Sequence, residues 1–127
     1  MIVVDTSALI AILANEPLGD ECDTALKSAG EVLISAGTLT EALIVAGARG
    51  VRNDLEALVE AYSMEIVPVT AASARRAATA HARWGKGAHG LNFGDCFAYE
   101  LAKEHGCRLL TVGRDFAKTD VKSALSK

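Results

Sequence analysis

Four short apolar runs punctuate the chain: Ile2 to Val4, Val32 to Ser35, Ile66 to Val69 and Arg108 to Val112. Runs this short and apolar on consecutive positions predict strands buried on both faces. Helical spacing fills the intervals. Ala8 to Ala14 is apolar throughout and stops near Asn15-Glu16-Pro17, and Leu18 to Ala29 follows as a more polar helix. Leu39 to Ala48 forms a third. Val51, Leu55, Leu58, Val59 and Tyr62 then recur at the i, i+4, i+7, i+8, i+11 positions of a fourth helix. Thr70 can cap a helix running to about Trp84, and Asn92 to His105 makes the last, closed by Gly106. Gly85 to Gly90, rich in glycine, predicts a mobile loop.

Strands separated by crossovers of this length predict a parallel sheet. The expected fold is an α/β, three-layer α/β/α sandwich with a mainly parallel central sheet, and 127 residues suit a single domain spanning 1–127. With 50% hydrophobic and 23% charged residues, and no apolar run near the length of a membrane span, the expectation is a soluble protein that needs no membrane. Met1 to Asp5 has no basic stretch and meets an acid early, so a cytoplasmic location is expected rather than secretion. Cys22, Cys96 and Cys107 form no C-x-x-C pair and have no histidine at zinc spacing, which predicts buried thiols.

The net charge of −3 hides an asymmetry, because no acid falls between Glu65 and Asp95 while Arg75, Arg76, Arg83 and Lys86 all do. On a helix, the three arginines lie within an arc of about 100°. A basic stripe in an acidic protein suggests a local anion site, with Trp84 beside it able either to stack on a flat ligand or to pack in the core. His81 and His89 sit at no strand end and read as surface residues; Tyr62 and Tyr99 read as packing residues.

Ligands of open parallel sheets bind at the carboxyl ends of the strands. Four acids are expected there: Asp5 directly after the first strand, Glu41 after the second, Asp95 in the first turn of the last helix, and Asp115 after the last strand. Each has a local explanation. Thr38-x-x-Glu41 and Asn92-x-x-Asp95 can be capping boxes, and Asp5 and Asp115 can cap the turns that follow them. Together, however, four carboxylates at one edge would raise one another's pKa unless cations neutralised them. An all-oxygen set favours Mg²⁺ or Mn²⁺ over softer metals.

The segments M-I-V-V-D-T-S-A-L, T-E-A, L-N-F-G-D-C-F-A-Y-E-L-A-K and L-L-T-V-G-R-D-F-A-K-T-D-V resemble, over essentially the whole chain, a PIN-domain ribonuclease toxin of the VapC type. The resemblance implies that Asp5, Glu41, Asp95 and Asp115 are the catalytic, metal-binding acids, with Thr6 and Ser7 supplying the family's small hydroxyl. Asp120 competes with Asp115 for the fourth place, since G-R-D-F departs from the G-N-D-F frequent in the family. The implied activity is Mg²⁺-dependent (or Mn²⁺-dependent) endonucleolytic hydrolysis of single-stranded or looped RNA, leaving a 5′-phosphate and a 3′-hydroxyl. The chain would be the toxin of a type II toxin–antitoxin pair, a homodimer held inactive by a cognate VapB-type antitoxin. DNA would be contacted only through that antitoxin. The antitoxin's surface on this chain is not legible, although the apolar helix faces before Ala48 and after Val51 are candidates.

Other readings fit less well. A haloacid-dehalogenase-type phosphatase needs a second aspartate where Ser7 stands, and a receiver domain needs a lysine where Gly113-Arg114 follow the last strand. A catalytically inactive PIN-like protein-binding module is the alternative from another class, and the presence of all four acids argues against it.

Overall fold

A computed structural model describes residues 1–125. Four parallel strands, β1 (Ile2–Val4), β2 (Val32–Ser35), β3 (Glu65–Val67) and β4 (Arg108–Leu110), form one sheet in the order β3-β2-β1-β4. Val3, Leu33 and Leu109 point to one face, and Ile2, Val4, Val32, Ile34 and Leu110 to the other. The period of two thus divides the core into two compartments.

The first compartment is roofed by α1 (Thr6–Leu13), α2 (Gly19–Ser28), α3 (Ala36–Ala48) and α4 (Arg52–Ala61), through residues such as Leu9, Leu26, Ala42 and Leu55. The second is roofed by α5 (Ala71–Trp84) and α6 (Phe93–His105), through Ala77, Ala80, Ala98 and Leu101. Helices therefore cover both faces, as the three-layer expectation requires. The chain changes face between β3 and β4, and β4 lies beside β1, so the reversal of winding opens a crevice at the carboxyl ends of β1 and β4. All three cysteines are free thiols; Cys22 and Cys96 are buried and Cys107 partly so.

Three local expectations are corrected. The run Ile66 to Val69 is not a strand buried on both faces: β3 covers Glu65–Val67 at the sheet edge, leaving Ile66 and Val69 exposed. An edge position removes one neighbour, and Pro68 has no N–H with which to extend the pairing. Thr38 does not open α3, which begins at Ala36, because Ser35 is the N-cap and accepts the amide of Gly37 at 3.1 Å. Finally, β4 ends at Leu110 rather than Val112, because the Val112 amide donates to Ser7 Oγ at 3.0 Å instead of continuing the ladder. That last departure builds the wall of the crevice.

Candidate active site

Asp5 leaves β1 at the crevice and serves as the N-cap of α1. Its Oδ2 accepts the Ser7 amide at 3.2 Å and the Ser7 hydroxyl at 2.7 Å, and Ser7 Oγ lies 3.0 Å from Thr111 Oγ1. Ser7 thus ties the end of β1 to the exit of β4. The other oxygen, Asp5 Oδ1, is buried with no hydrogen-bond partner among the described residues, in a residue only 3% exposed. A buried acceptor left without a partner costs about 1–3 kcal/mol.

Asp95 stands in the first turn of α6, where Asn92 and Asp95 form a reciprocal capping box. Asn92 Oδ1 accepts the Asp95 amide at 2.9 Å, and Asp95 Oδ2 accepts the Asn92 amide at 3.0 Å. The capping role expected of this pair is real, and it occupies one oxygen of the carboxylate. Glu41 reaches the same place from α3, its Oε1 accepting the Thr6 hydroxyl at 2.7 Å. Its carboxylate lies directly over Gly94, where a β-carbon would come within 2.2 Å of Oε2. The glycine therefore admits the Glu41 carboxylate to the start of α6.

Asp5, Glu41, Asp95 and Asp115 line one open cavity of about 310 Å³ together with Thr6, Ser7 and Asn92. Burial, and then the charges of Asp5, Asp115 and Glu41, push the Asp95 carboxyl up to about 7, against the opposing hydrogen bond from Asn92. Burial likewise raises Asp5, with Glu41 adding to it and the Ser7 hydrogen bonds opposing it. These side chains are costly to ionise together.

Among the described residues, no three Asp, Glu, His or Cys side chains are closed tightly enough around one point to define an ion site as they stand. Hydrogen bonds to Ser7, Thr6 and Asn92 hold one oxygen of Asp5, Glu41 and Asp95 against the protein. The orphaned Asp5 Oδ1, the all-carboxylate donor set and the mutual repulsion nevertheless fit a hard divalent cation.

The remaining candidates lie elsewhere. Asp120 accepts the Tyr99 hydroxyl at 2.5 Å and pairs with Lys103 at 3.2 Å, outside the cavity that Asp115 lines. None of Arg75, Arg76, Arg83 and Lys86 lines it either. Arg76 turns toward α6, its Nε 2.8 Å from Glu100 and 3.5 Å from Glu104. Arg83 stacks over Trp84 at 4.7 Å, and the Trp84 indole donates to Tyr99 at 3.1 Å from a partly buried position against the core. Trp84 is thus a packing residue here, as is Tyr62, which joins α4 to Asp23 of α2. His81 and His89 are exposed, away from the acids.

Sequence reasoning missed Arg49 and Glu16, which also line the acidic cavity. Arg49 caps α3 and Glu16 lies in the loop between α1 and α2; only tertiary packing brings them together, so no local spacing announces them. Phe93, one residue before Gly94, was also passed over; it is 78% exposed and meets Phe97 edge to face at 5.1 Å.

The model of the PIN domain family matches residues 2–122. Ribonuclease VapC30 of Mycobacterium tuberculosis is 39% identical over 125 residues, covering 94% of this chain and 95% of that protein. Ribonuclease VapC of Mycolicibacterium smegmatis is 41% identical over 125 residues, covering 94% and 96%. Among solved structures, Mycobacterium tuberculosis VapC20, described as a sarcin-ricin loop cleaving toxin, superposes with a TM-score of 0.82 at 17% identity, covering 99% of this chain and all of the other. A toxin–antitoxin complex from Klebsiella pneumoniae contains a chain that superposes with a TM-score of 0.76 at 19% identity over the full length of both.

Proposed function

This chain belongs to the PIN domain family, among the VapC ribonucleases, and from that premise we propose that it is a toxin endoribonuclease whose catalytic centre is Asp5, Glu41, Asp95 and Asp115. The observation that carries the assignment of residues is the meeting of these acids in one cavity, with a buried Asp5 oxygen that no group of the described residues satisfies.

Asp5 and Asp95, the two most buried carboxylates, are the principal ligands for Mg²⁺ or Mn²⁺. When bound, that cation supplies charge screening at the phosphodiester and activation of water at neutral pH. Ser7 and Asn92 hold Asp5 and Asp95 in fixed rotamers, which limits the reorganisation needed on binding. Thr6 fixes Glu41 over Gly94 as the third acid. Asp115, the exposed member, stands at the mouth of the cavity and takes the proton of the attacking water at a carboxylate oxygen. The P–O3′ bond breaks, and the departing 3′-oxygen takes a proton from solvent water, giving a 5′-phosphate and a 3′-hydroxyl.

Residues 1–127 act as one domain in the cytoplasm, where the substrate RNA is. No helix among the described residues is long and apolar enough to cross a membrane. A VapB-type antitoxin is the cognate partner, the toxin is a homodimer, and DNA is met only through the antitoxin. Arg75, Arg76, Arg83 and Lys86 form a more distant basic face for RNA, with Arg76 partly neutralised by α6.

Cleavage of an end-labelled RNA by antitoxin-free protein tests the reading. Mg²⁺-dependent cutting with phosphate on the new 5′ ends is expected, and Asp5→Asn removes it. Undiminished cutting in EDTA, or by the Asp5→Asn protein, would refute the metal centre. A pure, folded protein that cuts no RNA of any kind would favour the inactive binding module.

A further inference from the structure

The acidic cavity carries a cation of its own. Of the described residues lining it, Arg49 is the only basic one, and it stands at the C-cap of α3, about 12 Å along the helix axis beyond Glu41. Its side chain is half exposed. Its ion-pair contact is long: Nη1 lies 3.8 Å from Glu16 Oε2, and the Glu16 side chain is also substantially exposed. A solvent-screened pair of this kind contributes little to folding, so stability does not explain why it is there.

RNA entering this cleft meets Asp5, Glu16, Glu41, Asp95 and Asp115, and its backbone is repelled wherever no countercharge stands. The arginines of α5 do not meet that need at the cleft itself, because none of them lines it and Arg76 is already engaged with Glu100. Arg49 does line it, and its planar guanidinium offers paired donors that match two phosphate oxygens. Its distance along α3 from Glu41 favours a phosphate neighbouring the scissile one.

We propose that Arg49 is a substrate-binding residue that takes a backbone phosphate of RNA adjacent to the scissile bond, and that Glu16 is its competitor, holding the guanidinium when RNA is absent. The proposal rests on the ribonuclease reading above. It makes the two partners of one ion pair act in opposite directions. Losing Arg49 weakens RNA binding, whereas neutralising Glu16 strengthens it.

The experiment uses a mixed-sequence single-stranded RNA oligonucleotide with a fluorescent label, at several salt concentrations. Arg49→Ala is expected to raise KM roughly tenfold with kcat within about twofold, and Arg49→Lys to recover part of the loss. The slope of log affinity against log salt becomes shallower by about 0.7, one phosphate contact on a single strand. Glu16→Gln lowers KM. Fluorescence anisotropy on the Asp5→Asn background reads the same effects without cleavage, so binding is decided even if turnover is not seen. If the pair only braces the helices, Arg49→Ala and Glu16→Gln shift the thermal midpoint alike and leave affinity and salt slope at wild-type values; that result overturns the proposal. Cleavage that depends on Asp5 but is indifferent to Arg49 sinks this inference alone, whereas equal cleavage by wild type and Asp5→Asn sinks the catalytic centre proposed above, on which the inference rests.

Discussion

Helices α5 and α6 begin with the same device, a reciprocal capping box, but with different chemistry. In α5, Thr70 Oγ1 accepts the Ser73 amide at 3.1 Å and Ser73 Oγ accepts the Thr70 amide at 2.7 Å. In α6 the same exchange is made by Asn92 and Asp95 at 2.9 and 3.0 Å. A neutral hydroxyl therefore suffices to close the box in this protein. The carboxylate at 95 closes it no better, and it adds a buried charge facing Asp5, Asp115 and Glu41. Capping explains why the helix tolerates Asp95, and the cavity explains why an acid is there.

The most severe way to break that comparison is to make the two boxes alike. Asp95→Ser keeps a capping oxygen, so the variant should fold with a native circular dichroism spectrum and bind labelled RNA. Its cleavage rate should fall by more than about a hundredfold, the loss expected when even an outer support of a metal ligand is removed.

A smaller effect concerns pH. The folded-state carboxyl of Asp95 lies near 7, above its ordinary 3.8, so its protonated form is favoured by folding. Its contribution is full below the ordinary value, declines as pH rises, and is gone above about 7. Without metal, the stability advantage of wild type over Asp95→Ser should shrink across that window. The ceiling is about 4 kcal/mol, and hydration of the open cavity reduces it to on the order of 2 kcal/mol. Urea titrations at several pH values measure it, and added Mg²⁺ should restore stability at the alkaline end. A wild-type advantage that grows with pH in metal-free buffer would contradict the sign.

Gly94→Ala sharpens the comparison from the opposite wall. The new β-carbon would displace the Glu41 carboxylate rather than backbone, so activity should drop about tenfold or more while stability holds, since alanine is the better helix former. Smallest is Thr70→Ala, which opens the neutral box. It should cost about 1 kcal/mol in thermal unfolding and leave RNA cleavage unchanged.

Periodicity made β1, β2, α5 and α6 legible, because each has its apolar face and its cap within one local segment. It overstated β3: an apolar run such as Ile66 to Val69 says that a strand forms, not whether a neighbour covers it. It also misplaced the start of α3, because Ser35 and Thr38 both carry capping hydroxyls and only the end of β2 selects the first. Asp5 and Asp95 are legible because each stands at a helix start, whereas Glu41 and Asp115 are legible only as the first acids that follow β2 and β4, Glu41 in the second turn of α3 and Asp115 five residues past Leu110. The placement of Glu41 over Gly94 and of Arg49 in the cleft is not legible, since both depend on how α3 packs beside α6 and α1. The α5 arginines show the converse: a helical arc places cations on one face, but α6 supplies the carboxylate that Arg76 meets.

The most direct test of whether the charge at position 95 serves catalysis rather than capping is RNA cleavage by wild type, Asp95→Ser and Thr70→Ala, side by side, in Mg²⁺ and in EDTA. Wild type and Thr70→Ala should cut equally in Mg²⁺ and stop in EDTA, with folded Asp95→Ser silent throughout. Wild-type cutting by Asp95→Ser would show that the carboxylate is only a cap.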